Sequence, residues 1–570
     1  MGMYACDVMD KSPLDQISEI YVWNDLNLAE AYVNDQYKTL PNILYNEFHR
    51  SSQMCCYTDE AVHKYGYWGL LYKLGNLTPS VLDNLDLWSY NYGYIKGCNV
   101  FLQKVDDIPV KNASETEKRD RMKGEILALR AWNYLNLAAR YGGVVLVTEP
   151  FGLDDDFIRS RSSMDETVAM IVKDLDDAAE LLPDSYDDAN WGRMTKGIAM
   201  GLKSRILLYN ASPLFNPSND VAKWQSAARA AKDVIDYAER TGLFALHGDK
   251  DTYEEVFLSK KNSEMMLFNE YNQRMAQAWR FQTAEGLGGG IDGTGYAGGW
   301  SSAMISQAVV DAFEMLDGTP FDWNNPEHAA DPYANRDPRL HVAVTHDNSV
   351  WIRDSLVQTW VCERENKFNE TVFKDNIYPD FNPNFNYDQQ IYGRNSIGNL
   401  PRGGDISLTG YYYRKFNYYN YNYAEQPYPF ESRWIIMRYA EILLNYAEAV
   451  FETGNETEAL LYLNMIRKRV GMPEVTGVTG DALRKKIWHE REVELCLEGH
   501  RYFDARRWLI AEVEFSKPLM GITIVKDKNS DFKVYTPFKY MDCYFPTRYY
   551  LQPIPLTEIQ RSGIEQNPGY

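Results

Sequence analysis

Two clusters of aromatic side chains in loop-like segments offer the most specific chemistry in this sequence. Aromatic residues make up 14% of the 570 residues, and tyrosine alone occurs 42 times. Flat rings of this kind can lie against the C–H faces of sugars, beside amide or charged groups that bind the hydroxyls. The candidate ligand-binding residues are Tyr67, Trp68, Tyr72 and Asn76 in the first cluster, and Trp279, Phe281, Tyr296 and Trp300 in the second. We expect segments 60–80 and 275–300 to form a shallow aromatic platform; the alternative is that these rings pack beneath long loops.

Catalytic motifs are much weaker in this sequence. His489 and Glu490 lack the second histidine of a His-Glu-x-x-His metalloprotease site, because Val493 occupies its position. Residues 288–293 match Gly-x-Gly-x-x-Gly formally but neither directly follow a strand nor open a helix. Among 80 acidic residues, no spacing singles out a carboxylate pair for glycoside hydrolysis. We therefore expect no enzymatic activity and no cofactor, although residues 154–156, all aspartates, could lie near a structural cation such as calcium.

A regular series of charges lies in residues 487–508, near the C-terminal end. Three glutamates stand four residues apart and therefore line one side of a helix. Three arginines close by can reach carboxylates on neighbouring turns. These residues are Glu490, Glu494, Glu498, Arg491, Arg501 and Arg506. We interpret the pattern as a structural salt-bridge array between helices.

Helical periodicity marks the elements that must position these residues. The predicted helical segments are 125–141, 164–182, 196–210, 223–240, 434–451 and 456–470. Several are apolar over a wide arc, which is typical of helices sandwiched between neighbours. Ser163 and Glu166 form a capping-box signature before the second segment.

Residues 440–473 match the length and the small/large alternation of one tetratricopeptide unit. Helix pairs of this kind cannot bury their faces alone and must stack. We therefore predict a mainly α fold, a tetratricopeptide-like helical repeat scaffold with a long loop-rich insertion that contains short strands. The predicted parts of a single domain, residues 1–570, are the scaffold in 20–260 and 430–510, the insertion in 265–430 and an extended C-terminal tail in 511–570.

Bulk composition excludes several classes of protein. A net charge of −21 disfavours binding to nucleic acid, which is itself a polyanion. The sequence has no uninterrupted apolar run of about 18 residues, so no transmembrane helix is expected. Its seven cysteines include no Cys-x-x-Cys pair, so neither a zinc ribbon nor a disulfide framework is indicated.

Several motifs, in consistent order along nearly the whole chain, resemble those of the SusD/RagB family. The segments that carry the resemblance are 6–18, 130–143, 335–339, 409–416, 438–449, 487–508 and 551–570. Residues 340–405 carry no matching motif. The resemblance covers mostly scaffold, so it identifies the family more specifically than the ligand.

The resemblance implies a non-catalytic cell-surface lipoprotein of a Bacteroidetes-type bacterium. Such a protein binds an oligosaccharide or polysaccharide and delivers it to a TonB-dependent SusC-like transporter in the outer membrane. Its ligand site would be built from loops in the two aromatic regions, and a lipid on Cys6 would be its only membrane attachment. The alternatives are a peptide-binding RagB-like receptor, a glycoside hydrolase and a tetratricopeptide-type protein-interaction module.

Overall fold

A computed structural model describes most of the chain. The described residues are 22–40, 54–66, 69–152, 158–271, 301–351, 356–362, 406–417, 432–527 and 529–570. All structural statements below refer to these ranges.

Helices dominate the described residues. In chain order they are α1 (Leu26–Gln36), α2 (Leu70–Lys73), α3 (Trp88–Lys104), α4 (Ala113–Tyr141), α5 (Met164–Leu181), α6 (Lys196–Ala211), α7 (Val221–Thr241), α8 (Glu255–Leu258), α9 (Gln307–Ala312), α10 (Pro326–Ala330), α11 (Arg339–Ala343), α12 (Tyr439–Glu452), α13 (Glu456–Arg469), α14 (Gly480–Glu494), α15 (Arg501–Arg507), α16 (Ala511–Glu514) and α17 (Leu556–Ser562). The mainly α prediction is confirmed. None of these described helices combines the length and apolarity needed to cross a bilayer.

Local capping chemistry fixes several helix ends where the sequence predicts them. The Ser163 hydroxyl accepts a hydrogen bond from the Glu166 amide at 3.2 Å, and the Glu166 carboxylate accepts one from the Ser163 amide at 2.7 Å. This reciprocal pair is the predicted capping box at the start of α5. Helix α7 begins after Asp220, whose carboxylate caps the Ala222 amide, and ends at Gly242 in the left-handed conformation.

The strands are short and belong to three small sheets. They are β1 (Ala61–His63), β2 (Met265–Tyr271), β3 (Ala303–Ile305), β4 (Val344–Thr345), β5 (Val361–Cys362), β6 (Tyr412–Tyr413), β7 (Ser432–Arg438), β8 (Leu519–Lys526) and β9 (Lys533–Met541). The sheet orders are β1-β3-β6-β4, β2-β7 and β5-β8-β9. Only the β5–β8 pairing among these is parallel. Strand β2 lies within the predicted insertion, which was expected to contain short strands.

The helix predicted over 434–451 starts five residues later in the structure. Residues 434–438 form the end of strand β7, and helix α12 begins only at Tyr439. Trp434 and Ile435 pair with Asn269 and Phe268 of β2. The short apolar run around Ile435 and Ile436 is compatible with both helical and strand periodicity. Pairing with β2, which is distant in the sequence, therefore decides its conformation.

The chain divides into two compact units. The first comprises residues 1–40, 87–138 and 142–203, and the second comprises residues 41–86, 139–141 and 204–570.

Buried ion pairs hold the first unit. The fully buried Glu125 accepts hydrogen bonds from the Tyr37 hydroxyl at 2.9 Å and from Arg193 at 3.0 Å. Arg130, in one of the family-like motifs, binds both carboxylate oxygens of Asp174 on α5 at 2.8 and 2.7 Å. Each charged group is therefore compensated where it is removed from water.

In the second unit, α12 packs against α7, α13 and α14. The turn between α12 and α13 uses Gly454, with φ +92°, followed by Asn455, whose side chain accepts from the Glu458 amide at 3.2 Å. Every residue from 439 to 451 is buried, as expected for a helix covered on all sides. This helix pair is the predicted tetratricopeptide-like unit.

The C-terminal tail is not extended throughout. Strands β8 and β9 form an antiparallel hairpin from Leu519↔Met541 to Lys526↔Lys533. Beyond the hairpin, hydrogen bonds hold the chain end, because the Asn567 side chain donates to the carbonyl oxygens of Tyr141 at 3.1 Å and Gln552 at 2.7 Å. The tail predicted over 511–570 thus contains a hydrogen-bonded hairpin in its first half.

Candidate functional site

Two of the predicted ligand-binding residues, Tyr72 and Asn76, lie among the described residues. The predicted residues outside the described ranges are Tyr67, Trp68, Trp279, Phe281, Tyr296 and Trp300, together with Cys6 and the aspartates at 154–156. The geometry of the chain on either side of these positions defines the candidate site.

The antiparallel pairing of β1 with β3 connects the two predicted loop regions. His63 is opposite Ala303, and the Lys64 amide donates to the Ser302 carbonyl at 2.8 Å. The first aromatic loop follows Lys64 directly, and the second loop ends at Trp300, two residues before Ser302. Because the strands are antiparallel, the chain enters one and leaves the other at the same sheet edge. Residues 64–66 and 301–302, the described ends of the two segments, therefore meet there.

Described side chains at this edge form a small aromatic and basic group. The Tyr65 ring is 39% exposed, and the Lys64 ammonium lies 5.2 Å from its centroid. The ring of His63 lies 5.9 Å from that of Tyr65, and its Nδ1 atom is 3.2 Å from the Tyr65 amide. Burial lowers the pKa of His63 to about 3, so the imidazole is neutral near pH 7 and its Nδ1 can accept this hydrogen bond.

Gly69 fixes the far end of the first loop. Its φ is +74°, and a Cβ atom at this position would lie 2.3 Å from the Cys56 carbonyl oxygen. Its amide donates to the Asp83 carboxylate at 3.1 Å. The residue after Trp68 is therefore held against the domain by a close backbone approach that only glycine permits.

Tyr72 occupies the hydrophobic core instead of a ligand-facing surface. It is 2% exposed, stacks on Tyr549 at 5.0 Å and lies edge-on to Phe545 at 5.9 Å. Helix α2 is one turn long, too short for its apolar side to be deduced from periodicity. Asn76, in contrast, is exposed, and its side chain makes no hydrogen bond to any residue in the described ranges.

The predicted salt-bridge array is present and centres on Glu494, the last residue of α14. The Glu494 side chain is completely buried and accepts hydrogen bonds from Arg438 at 2.6 Å, Arg339 at 2.9 Å and also Arg469. Burial alone would raise the pKa of Glu494, but Arg469, Arg438 and Arg339 hold it well below its usual range.

The array extends on both sides of Glu494. Glu490 binds Arg339 at 2.5 Å and Arg467 at 2.9 Å, and Glu498 binds Lys415 at 2.6 Å. Among the described residues, the array comprises six acidic and six basic side chains. They are Glu264, Glu314, Asp337, Glu490, Glu494 and Glu498, with Arg339, Lys415, Arg438, Arg467, Arg469 and Lys486. The balance of charges explains how so many are buried together.

Three motifs of the sequence contribute to this array. Arg339 ends the motif at 335–339, Lys415 lies in the motif at 409–416 and Arg438 begins the motif at 438–449. The spacing within residues 487–508 predicts that the glutamates form ion pairs but does not identify their partners. Arg438 and Arg339 lie 56 and 155 residues from Glu494 in the sequence. The motifs therefore build a scaffold that joins the insertion to the helical repeats within the second unit.

The neighbouring arginines have separate partners. Arg491 binds Asp504 at 2.8 Å and Arg501 binds Asp59 at 2.7 Å, as a salt-bridge array predicts. Arg506 instead donates to backbone carbonyl oxygens, including those of Tyr549 at 3.3 Å and Arg140 at 3.2 Å. It therefore anchors the returning tail.

The described residues show no group that is arranged for metal binding. No set of three or more His, Cys, Asp or Glu side chains that could hold a metal ion occurs within the described ranges. The imidazole Nε2 of His489 lies 2.7 Å from the Ala312 carbonyl oxygen, to which it donates. The carboxylates of Glu490, Glu494 and Glu498 are bound by cations rather than directed into an open cleft.

Two family models match the chain. One, described as "SusD family", matches residues 261–570, and the other, described as "Starch-binding associating with outer membrane", matches residues 14–208. Among curated relatives, SusD-like protein P25 of Formosa agariphila is 21% identical over 88% of this chain and 82% of its own length. SusD-like protein P38 of the same organism is 23% identical over 79% of this chain and 76% of its own length.

Solved structures share the fold over almost the full length. A SusD-like protein from Bacteroides fragilis is 27% identical, with a TM-score of 0.78 over 98% of this chain and 100% of the other. A laminarin-binding SusD-like protein is 20% identical, with a TM-score of 0.63 over 96% of this chain and 100% of the other. The first family model alone covers more than half of the sequence, and on that evidence the chain belongs to the SusD family.

Proposed function

We propose that this protein is a non-catalytic carbohydrate-binding protein of the cell surface, whose ligand is an oligosaccharide or polysaccharide. The observation that carries the proposal is the pairing of β1 with β3, in which the Lys64 amide donates to the Ser302 carbonyl at 2.8 Å. This pairing brings together residues 64–66 and 301–302, which are the described ends of two aromatic-rich segments far apart in the sequence. The names of relatives support it, since one family model is described as starch-binding and one structural neighbour as laminarin-binding.

The chemistry of the edge suits a neutral, hydroxyl-rich ligand. Tyr65 offers a half-exposed ring, and Lys64 offers an ammonium group beside it. Aromatic faces contribute apolar contact area at low conformational cost, while amide and ammonium groups bind hydroxyl oxygens. The predicted rings of Trp68 and Trp300, each within a few residues of this edge, would extend the platform.

The absence of catalysis is part of the proposal. Hydrolysis of a glycosidic bond needs two carboxyl groups that face one substrate. The described acidic cluster around Glu494 is instead neutralised by arginines, which supports a structural role. An assay for newly released reducing ends, with each polysaccharide tested below, is expected to give no signal above a protein-free control. Turnover would contradict this part of the proposal.

Delivery to a SusC-like TonB-dependent transporter and attachment to the outer membrane complete the proposal. The description of the second family model, "associating with outer membrane", supports the location. A lipid on Cys6 would provide the anchor, and stable anchoring requires more than one acyl chain. Labelling of cells with a radioactive fatty acid, with Cys6→Ser as the control, tests the attachment.

The decisive experiment is isothermal titration against soluble starch, laminarin, xylan and galactomannan. The unmodified protein is expected to bind at least one of them. Trp68→Ala, Trp279→Ala and Trp300→Ala are each expected to weaken that binding by about 2- to 10-fold, as the loss of ~0.5–1.5 kcal/mol of aromatic contact implies. Trp132→Ala is the control, because Trp132 is a buried helical residue, 5% exposed. If all three loop variants bind normally, the site lies elsewhere.

A further inference from the structure

Tyr544, in the C-terminal tail, is an exposed aromatic residue fixed close to the first aromatic loop. Its side chain is 59% exposed, although its backbone is firmly held, because its amide donates to the Lys73 carbonyl at 2.7 Å. Lys73 ends helix α2, which begins immediately after Gly69. A helix rises about 1.5 Å per residue, so the point that holds Tyr544 lies roughly one turn from Gly69, the residue after Trp68.

The Tyr544 ring rests against the backbone of Gly75. A Cβ atom on Gly75 would lie 2.6 Å from Cδ1 of the ring, and the φ of Gly75 is +73°. Arg548 donates to the Gly75 carbonyl at 3.0 Å and so fixes the turn from the other side. Gly75 thus permits both the turn and the close approach of the ring. One side of the ring is supported by backbone, and much of the rest is open to solvent.

The residues close to Gly75 in the sequence carry exposed polar and apolar side chains, the two types that a sugar-binding surface combines. Asn76 is exposed next to Gly75, and its side-chain carboxamide makes no hydrogen bond to the described residues, so the carboxamide donors and acceptor are available to hydroxyls. Leu71 and Leu74 on and beside α2 are 38% and 42% exposed. A ring already held in place loses little conformational freedom when a ligand binds.

We propose that Tyr544, together with Asn76, forms an additional sugar-binding contact that extends the aromatic platform along α2 toward the C-terminal tail. The proposal rests on the carbohydrate-binding function proposed above. It assigns Tyr544 to stacking and Asn76 to hydroxyl recognition, and it makes the tail part of the binding surface. A polysaccharide bound beside Lys64 and Tyr65 would continue over α2 to this ring.

The test uses the full chain and the polysaccharide of the four-member panel that the unmodified protein binds. Tyr544→Ala is expected to weaken binding by about 2- to 10-fold, and Tyr544→Phe, which keeps the ring, is expected to retain most of the affinity. Asn76→Ala is expected to weaken binding independently. Phe532→Ala is the matched control, because Phe532 is an aromatic residue of the same tail that is 66% exposed; its binding should be unchanged.

The outcomes separate this inference from the proposed function. Normal binding by both Tyr544→Ala and Asn76→Ala, while Trp68→Ala binds weakly, overturns the additional contact and leaves the proposed function standing. If the unmodified protein binds no polysaccharide, both proposals fall. An equal loss in Phe532→Ala and Tyr544→Ala also overturns the inference, because the effect would then not be specific to this ring. Circular dichroism of each variant verifies that it is folded.

Discussion

Replacing the central glutamate of the salt-bridge array should destabilise the protein strongly. Glu494→Gln keeps the side-chain volume but removes the negative charge that faces Arg339, Arg438 and Arg469. Its side chain is completely buried, so water cannot replace the lost charge. The glutamine amide group would also place N–H donors against guanidinium N–H donors. Removing one partner of a buried ion pair typically costs about 3–5 kcal/mol, and here three cations lose their shared partner.

The assay is equilibrium unfolding in urea, followed by tryptophan fluorescence. We expect the free energy of unfolding to fall by about 3–5 kcal/mol in Glu494→Gln, a large share of the ~5–15 kcal/mol typical of a folded domain. Asp177→Asn is the control, because Asp177 forms an exposed ion pair with Lys173 on α5. Such pairs contribute only about 0.3–0.5 kcal/mol. If Glu494→Gln unfolds at the same urea concentration as Asp177→Asn, the charge of Glu494 does not stabilise the fold.

Two further predictions concern a buried acid and a helix cap. Burial raises the pKa of Glu60 from 4.5 to about 7, so the folded state holds a proton that the unfolded state releases, and stability is lost as pH rises through this interval. The free energy of unfolding of Glu60→Gln, measured relative to that of the unmodified protein, should therefore rise by ~2.5 kcal/mol between pH 5 and pH 8. Parallel pH profiles of urea unfolding would contradict this. Ser163→Ala should lower the free energy of unfolding by about 1 kcal/mol through loss of the α5 cap, whereas the mid-helix control Ser226→Ala should not, and equal effects would refute the capping role.

Local sequence patterns predict the helical scaffold well. The box formed by Ser163 and Glu166 marks the start of α5 because its chemistry is complete within one turn. Gly454 and Asn455 mark the turn of the repeat for the same reason. Strand β9 escapes prediction because Pro537 lies in its middle, where proline argues against a central strand. Within the described residues β9 pairs only with β8, and an edge position of this kind tolerates proline.

Long-range partners are what the sequence could not supply. The spacing of Glu490, Glu494 and Glu498 predicts one charged side, but helix α14 ends at Glu494 and Leu497 adopts a φ of +62°, so Glu498 reaches Arg438 from beyond the helix. Tyr72 follows Tyr65, Tyr67 and Trp68 in the sequence and was therefore predicted to contact ligand. Its neighbours in space come instead from the tail near Tyr549. The proposed contact at Tyr544 likewise depends on a long-range neighbour, the Lys73 carbonyl.

The register between β1 and β3 also affects the order in which the chain must fold. It joins His63 to Ala303, 240 positions apart. Closing a flexible loop of that length costs about 5 kcal/mol in chain entropy, beyond a constant that does not depend on length. Contacts so distant in sequence form after the local helical hairpins that shorten the effective loop. A nascent chain can therefore hold most of its helices while β1 and β3 are still apart, and the pairing of these two strands is a late step in folding.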